Sequence, residues 1–235
     1  GSGSVTNNGI LEATGGGRLL LSTHIIGNSG SEIRAAAGST VVQNGVTVSG
    51  RVNTTGAGVF SANANGSNVL QGVALNGVLD MASIANARET VAGGLTLTGS
   101  VNIGSSGILS ISGGDQALAG SGSFNLDGPG SRFALEGNST TTLGAGAVPR
   151  GQGNIGHAAI SGGTHHLVND GRISADVNAG TLAVDVSAKP AGYPWDRPTP
   201  GGAIVTDSTN NDGTGGSVSL NGDADQIDAA LDTLA

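Results

Sequence analysis

The chain reads as an all-β protein, a single-stranded parallel β-helix expected to be right-handed, with a short C-terminal appendage. Three segments carry that reading. Val46-x-Val48-x-Gly50-x-Val52 comes first. Val73-x-Leu75-x-Gly77-x-Leu79-x-Met81 and Leu95-x-Leu97-x-Gly99-x-Val101-x-Ile103 follow. Each alternates apolar with small or polar residues at a period of 2, the mark of a strand with one buried face. The second observation is spacing. The glycines at 50, 77 and 99 lie 77 − 50 = 27 and 99 − 77 = 22 residues apart. Self-similarity at roughly 20 to 30 residues marks a repeat architecture whose turns vary in length. The third is composition: glycine is 44 of 235 residues and aromatics are 2%. The interior must be narrow and built from Val, Ile, Leu and Ala.

An isolated hairpin cannot bury such a stripe. Stacking each turn of chain on the one before pairs every backbone group and puts like on like in interior ladders. An antiparallel sandwich is the competing fold. It favours two-residue hairpin turns and more aromatics, which this sequence lacks.

Residues 1 to 188 form one block of roughly seven to nine coils. Val5-Thr6-Asn7-Asn8-Gly9-Ile10-Leu11-Glu12-Ala13 resembles Leu167-Val168-Asn169-Asp170-Gly171-Arg172-Ile173-Ser174-Ala175, so one kind of unit opens and closes it. Asn7 and Asn169 are expected at corners, where an amide can bond neighbouring backbone. Gly50, Gly77 and Gly99 are expected at interior or corner positions of consecutive coils, where a backbone approaches closely. Clusters such as Asn28-Ser-Gly-Ser31, Asn63-Ala-Asn-Gly-Ser67 and Ser112-Gly-Gly-Asp115 supply the turns. Further strands are expected at 33–37, 41–42, 108–111, 124–126, 133–135 and 155–160. Residues 82–90 read as a short helical turn or a loop.

From Lys189 the character changes. Prolines fall at 190, 194, 198 and 200, with Tyr193 and Trp195 among them. Proline cannot donate to a ladder, so 189–202 reads as a linker. Residues 203–235 read as an acidic tail, either an incomplete domain or a cap, that does not continue the ladder. Val218-x-Leu220 is a strand in it, and Asp223 opens a helix with Ile227, Ala230, Leu231 and Leu234 on one face. The opening Gly-Ser-Gly-Ser has the look of an excised segment.

Charge restricts partners. Nine Lys and Arg are scattered singly and the net charge is −8. No basic patch is available to neutralise phosphates, so nucleic acid is not expected. No apolar run approaches the ~18 residues of a membrane span, so direct membrane insertion is not expected. Without cysteine there is neither a disulfide framework nor a thiolate metal site.

His157, His165 and His166, with Asp170 nearby, are the candidates for metal or acid–base work. Solvated turn residues are the simpler reading, since linear spacing supplies no geometry. Asp115, Asp127, Asp176 and Asp185 are the candidates for paired carboxylates that hydrolyse glycans, which need ~5 to 9 Å between them. No carboxylate recurs at one phase, so no catalytic residue and no cofactor are assigned and the chain is not read as an enzyme. Calcium is the one ion considered, at Asp223 and Asp225 or around 207–212, without an EF-hand loop or the nonapeptide calcium repeat. Trp195 with Tyr193 could stack on a sugar or cover the end of a core.

The Asn-x-Gly-x-apolar-x-Ala signature, followed by a Gly-x-Leu-x-apolar strand, resembles repeats of large secreted bacterial β-helix proteins. These are autotransporter passengers and filamentous-haemagglutinin-like adhesins. The resemblance covers residues 1 to 188. The stretch from Gly216 to Leu234 resembles a piece of the immunoglobulin- or cadherin-like repeats of giant bacterial surface proteins. The resemblance implies a structural or adhesive segment, secreted or at the cell surface in association with the outer membrane. Its partner would be a host-cell, matrix or glycan surface. A β-helical polysaccharide lyase or hydrolase and a non-catalytic carbohydrate-binding module are the rivals.

Overall fold

The computed structural model describes residues 3–186 and the strands Ile204–Asp207 and Ser217–Leu220. It is all-β, with no helix among the described residues, and its strands stack in parallel into a β-solenoid of about 8 turns. Three columns of strands run along it, each built on one interior ladder. In the first, Ile25, Val48, Leu70, Val91, Ile111 and Leu135 lie in register on consecutive turns. In the second, Ile33, Val52, Leu75 and Leu97 stack, beside Val73, Leu95, Leu118 and Leu143. In the third, Leu19, Val41, Phe60, Leu79, Val101 and Phe124 stack. These are the residues of the period-2 pattern, and nearly all are buried. Burial of their apolar area stabilises the coil, and each turn rests only on its neighbours.

Outside the core, amide side chains pair between neighbouring turns. Asn76 donates its amide to Asn53 at 2.9 Å, and Asn125 donates to Asn102 at 2.8 Å. Corners are closed by buried polar residues. Asn68 accepts from the Gly45 N–H at 2.6 Å and donates to the carbonyls of Arg88 at 3.0 Å and Asn63 at 3.2 Å. One amide thus ties the turns before and after its own. Ser131 does similar work, accepting from Gly128 N–H and lying 3.0 Å from the carbonyl oxygens of Ile103 and Gly104.

The three pattern glycines do not share one place. Gly99 lies on Gly77, but Gly50 lies opposite Val73. A register shift between Ser49 and Gly50 separates them. Gly50 instead approaches Gly27, whose Cα would stand 3.0 Å from a Cβ added at Gly50. Glycine thus serves two corners of the coil, and the 27-residue interval crosses from one to the other. Asn7 and Asn169 also part. Asn7 is buried in the first column and donates to the Glu32 carbonyl at 3.1 Å. Asn169 ends a strand of the second column, opposite Leu143. The likeness of the two segments is therefore one of local turn chemistry, set one column apart.

Other expectations shift at element ends. The strand expected at 155–160 ends at Gly156, and 157–164 is a loop. The pieces at 124–126 and 133–135 belong to one strand, Ser123–Leu135, with a register irregularity between Asp127 and Arg132. Of residues 82–90, 82–86 are bends and turns, the loop alternative, and a strand runs from Arg88. Ser217–Leu220 pairs in parallel on Thr181–Val184, and Ile204–Asp207 runs antiparallel to it. One strand of the tail thus lies on the edge of the last described coil, with Val218 opposite Leu182; an open edge accepts a strand in this way. The linker residues 189–202 and the helix expected from Asp223 lie outside the described residues, as do Tyr193, Trp195 and the calcium candidates Asp212, Asp223 and Asp225.

Gly77 gives a direct test of corner packing. Its φ is +117°, a region that β-branched residues avoid. A Cβ there would fall on Thr54, 2.8 Å from its carbonyl oxygen. The Thr54 hydroxyl cannot swing away freely, because it accepts the Val78 N–H at 2.8 Å. Gly77→Val is expected to lower stability by roughly 1–3 kcal/mol, measured as a drop in the urea midpoint. An unchanged midpoint would show that this corner yields.

Candidate functional site

A group of ionisable side chains lies near the last described coils, around the loop 157–164. Glu136 follows the buried ladder residue Leu135 and is only 1% exposed. Its carboxylate is not left bare. Oε1 accepts the N–H groups of Ala159 at 2.7 Å and Ile160 at 2.8 Å, and Oε2 accepts that of Ser161 at 2.6 Å. A carboxylate held by three backbone donors is strongly bound where it stands.

His165 follows the loop and stacks on Ser139. It is 6% exposed, and neither ring nitrogen has a hydrogen-bond partner. Burial pushes its imidazole below the usual range, and Glu136 works against that. The ring also feels the Gly137 backbone, without reaching hydrogen-bond geometry, and a like charge at His157 pushes the same way as burial. His157 Nδ1 lies 3.6 Å from Asp185 Oδ2. His166 points to solvent on the opposite face of the strand, as the alternation requires, and Asp170 is exposed beyond its end. Of the four residues singled out by sequence, His157 and His165 are brought together, and Asp185 joins them from another turn.

The remaining aspartates are dispersed. Asp115 accepts the Thr140 N–H at 2.7 Å. Asp176 pairs with Arg150. Asp127 carries a raised carboxyl, first through burial and then through the charge of Asp80. The charge of Asp80 thus reaches Asp127 from another turn, an influence that linear spacing hid. Asp80 otherwise holds its own turn, accepting from Ala82 and Ser83. Glu89 is the other group missed in sequence. It occupies an interior position beneath Leu109, 1% exposed, and burial raises its carboxyl well above the usual range. The signal was its inward phase in Ala87-x-Glu89-x-Val91.

Among the described residues no three His, Asp, Glu or Cys side chains gather as metal ligands. What the arrangement around Glu136 does is hold the loop. No protein-family model matches the chain, and neither the curated proteins nor the solved structures yield a match.

Proposed function

We propose that the chain is a structural or adhesive segment of a secreted or cell-surface bacterial protein, outer-membrane-associated, that presents a long side to a host-cell, matrix or glycan surface. The observation that supports this is the long stack of parallel coils, with amide side chains paired on its outer sides. About 8 turns at ~4.8 Å per turn give a rod of roughly 35–40 Å. Amide pairs, Asn53 with Asn76 on one side and Asn102 with Asn125 on another, offer donors and acceptors there. Amide groups on the side of a rod suit a hydroxyl-rich ligand such as a glycan chain. Binding of the whole chain to a glycan array and to immobilised matrix proteins tests the reading. Saturable binding without change to the ligand is expected, and no binding to any surface would overturn it.

A polysaccharide-cleaving enzyme is the second reading, favoured by the action of the Asp80 charge on the Asp127 carboxyl. Glycoside cleavage uses a pair of carboxyl groups, one as acid and one as base or nucleophile. Cleavage of uronate or neutral polysaccharides that is abolished by either Asp127→Ala or Asp80→Ala would replace the adhesive reading with this one. No loss of polymer length over a substrate panel is the expected result.

A further inference from the structure

The loop 157–164 is built unlike the other corners. The previous turn passes the same corner in the short stretch 136–138, since Gly137 N–H donates to the Gly162 carbonyl at 2.8 Å and Ser139 N–H to that of Thr164 at 3.2 Å. The extra residues 157–161 are held by the carboxylate of Glu136 through the Ala159, Ile160 and Ser161 N–H groups. Ala158 is buried beneath the loop, whereas Ile160 is half exposed. Glycines stand at both ends, with φ of +97° at Gly156, +65° at Gly162 and +130° at Gly163. These are conformations in which glycine is the permissive residue. The loop is thus a short strap with glycine at its ends; Glu136 latches residues 159–161, and Gly137, Asn138 and Ser139 hold Gly162 and Thr164.

Beside the latch lies His165, buried and without a partner for either nitrogen. We propose that residues 157–164 form an acid-released strap, which lifts when His165 takes up a proton while the ladder beneath stays folded.

The groups facing His165 decide the direction. Glu136 is the near anion, but its oxygens are committed to the strap. His157 offers only a like charge and is itself drawn to Asp185. His166 points away to solvent, and Asp115 is engaged with the Thr140 N–H. A charged imidazole at this place must reach water or take Glu136 from the strap. Both routes undo the latch. For a histidine whose folded pKa is depressed, the stabilising contribution is complete above the ordinary value of about 6.5 and is lost as pH falls through the folded value. The strap is therefore closed at neutral pH and released below it.

Amide hydrogen exchange on the whole chain, at about pH 7.5 and about pH 5 on either side of the ordinary histidine range, tests this. After correction for intrinsic rates, the Ala159, Ile160 and Ser161 amides should exchange about tenfold faster at the lower pH for each proton taken up per pH unit. The Ile111 and Leu135 amides of the ladder should stay protected. His165→Gln should abolish the pH dependence, and Glu136→Gln should raise exchange of the three amides at both pH values. Should His165→Gln fail to fold, an NMR titration of the His165 ring in the natural chain replaces it, and loss of amide protection must follow that titration. Equal protection at both pH values, or loss of the ladder amides together with the strap, would overturn the proposal.

Discussion

Glu89→Leu is expected to stabilise the solenoid by about 1–3 kcal/mol at neutral pH, the usual cost of a buried polar group left unpaired. Glu89 lies inside the coil with Leu109 in register above it. Oε1 receives one bond, from the Thr90 N–H at 3.2 Å, and Oε2 has no partner. The amide of the neighbouring buried Asn68 is already spent on Gly45, Asn63 and Arg88. Burial drives the carboxyl upward from 4.5, and the bond from Thr90 opposes it. The sign follows from linkage. The folded state keeps the proton that the unfolded state releases, so stability is highest below the ordinary carboxyl range and falls as pH rises towards the raised value. Denaturation midpoints across that range should slope downward in the natural chain and flatten in the leucine variant. A variant with the same slope would place the pH dependence elsewhere.

Phe133→Ala is expected to cost about 3–5 kcal/mol, the range for deleting a buried aromatic ring. Phe133 is fully buried between Leu109 and Ile155 in its ladder. Its ring meets Phe124 edge to face, with centroids 5.2 Å apart and planes at 84°. Phe124 stands in the third column and Phe133 in the first, so this contact fastens two sides of one turn. Because each turn leans only on its neighbours, the damage should begin locally. Hydrogen exchange should quicken first at Leu109 and Ile155, while Val41 and Val48 keep their protection. Uniform loss of protection along the whole chain would show that the coils unfold as one body.

What was legible in the sequence was whatever depends on neighbours along the chain. The inward phase of Leu75, Leu97 and Val101 is a property of alternation, and the structure keeps it. What lay hidden depends on which residue stands above which. The shift between Ser49 and Gly50 moves Gly50 from Gly77 to Val73, and nothing in the Val46 to Val52 pattern announces it. The same holds for the histidines. His157 and His165 are eight positions apart in a string of turn residues, but Glu136 and Asp185, which give them meaning, belong to other turns. Glu89 was the exception, a charged residue on an inward beat.

The turns of this rod are unequal in length. The Asn63 amide reaches Asn44, 19 residues back, whereas the Ser131 hydroxyl reaches Ile103 across 28. The ladders nevertheless stay aligned, because the surplus chain leaves at the corners and returns to the same row. Length and register are therefore separate inheritances in this molecule. A lineage of such chains could lengthen, shorten or exchange what protrudes from an edge, strap included, while the spine that carries it goes on counting in whole rungs.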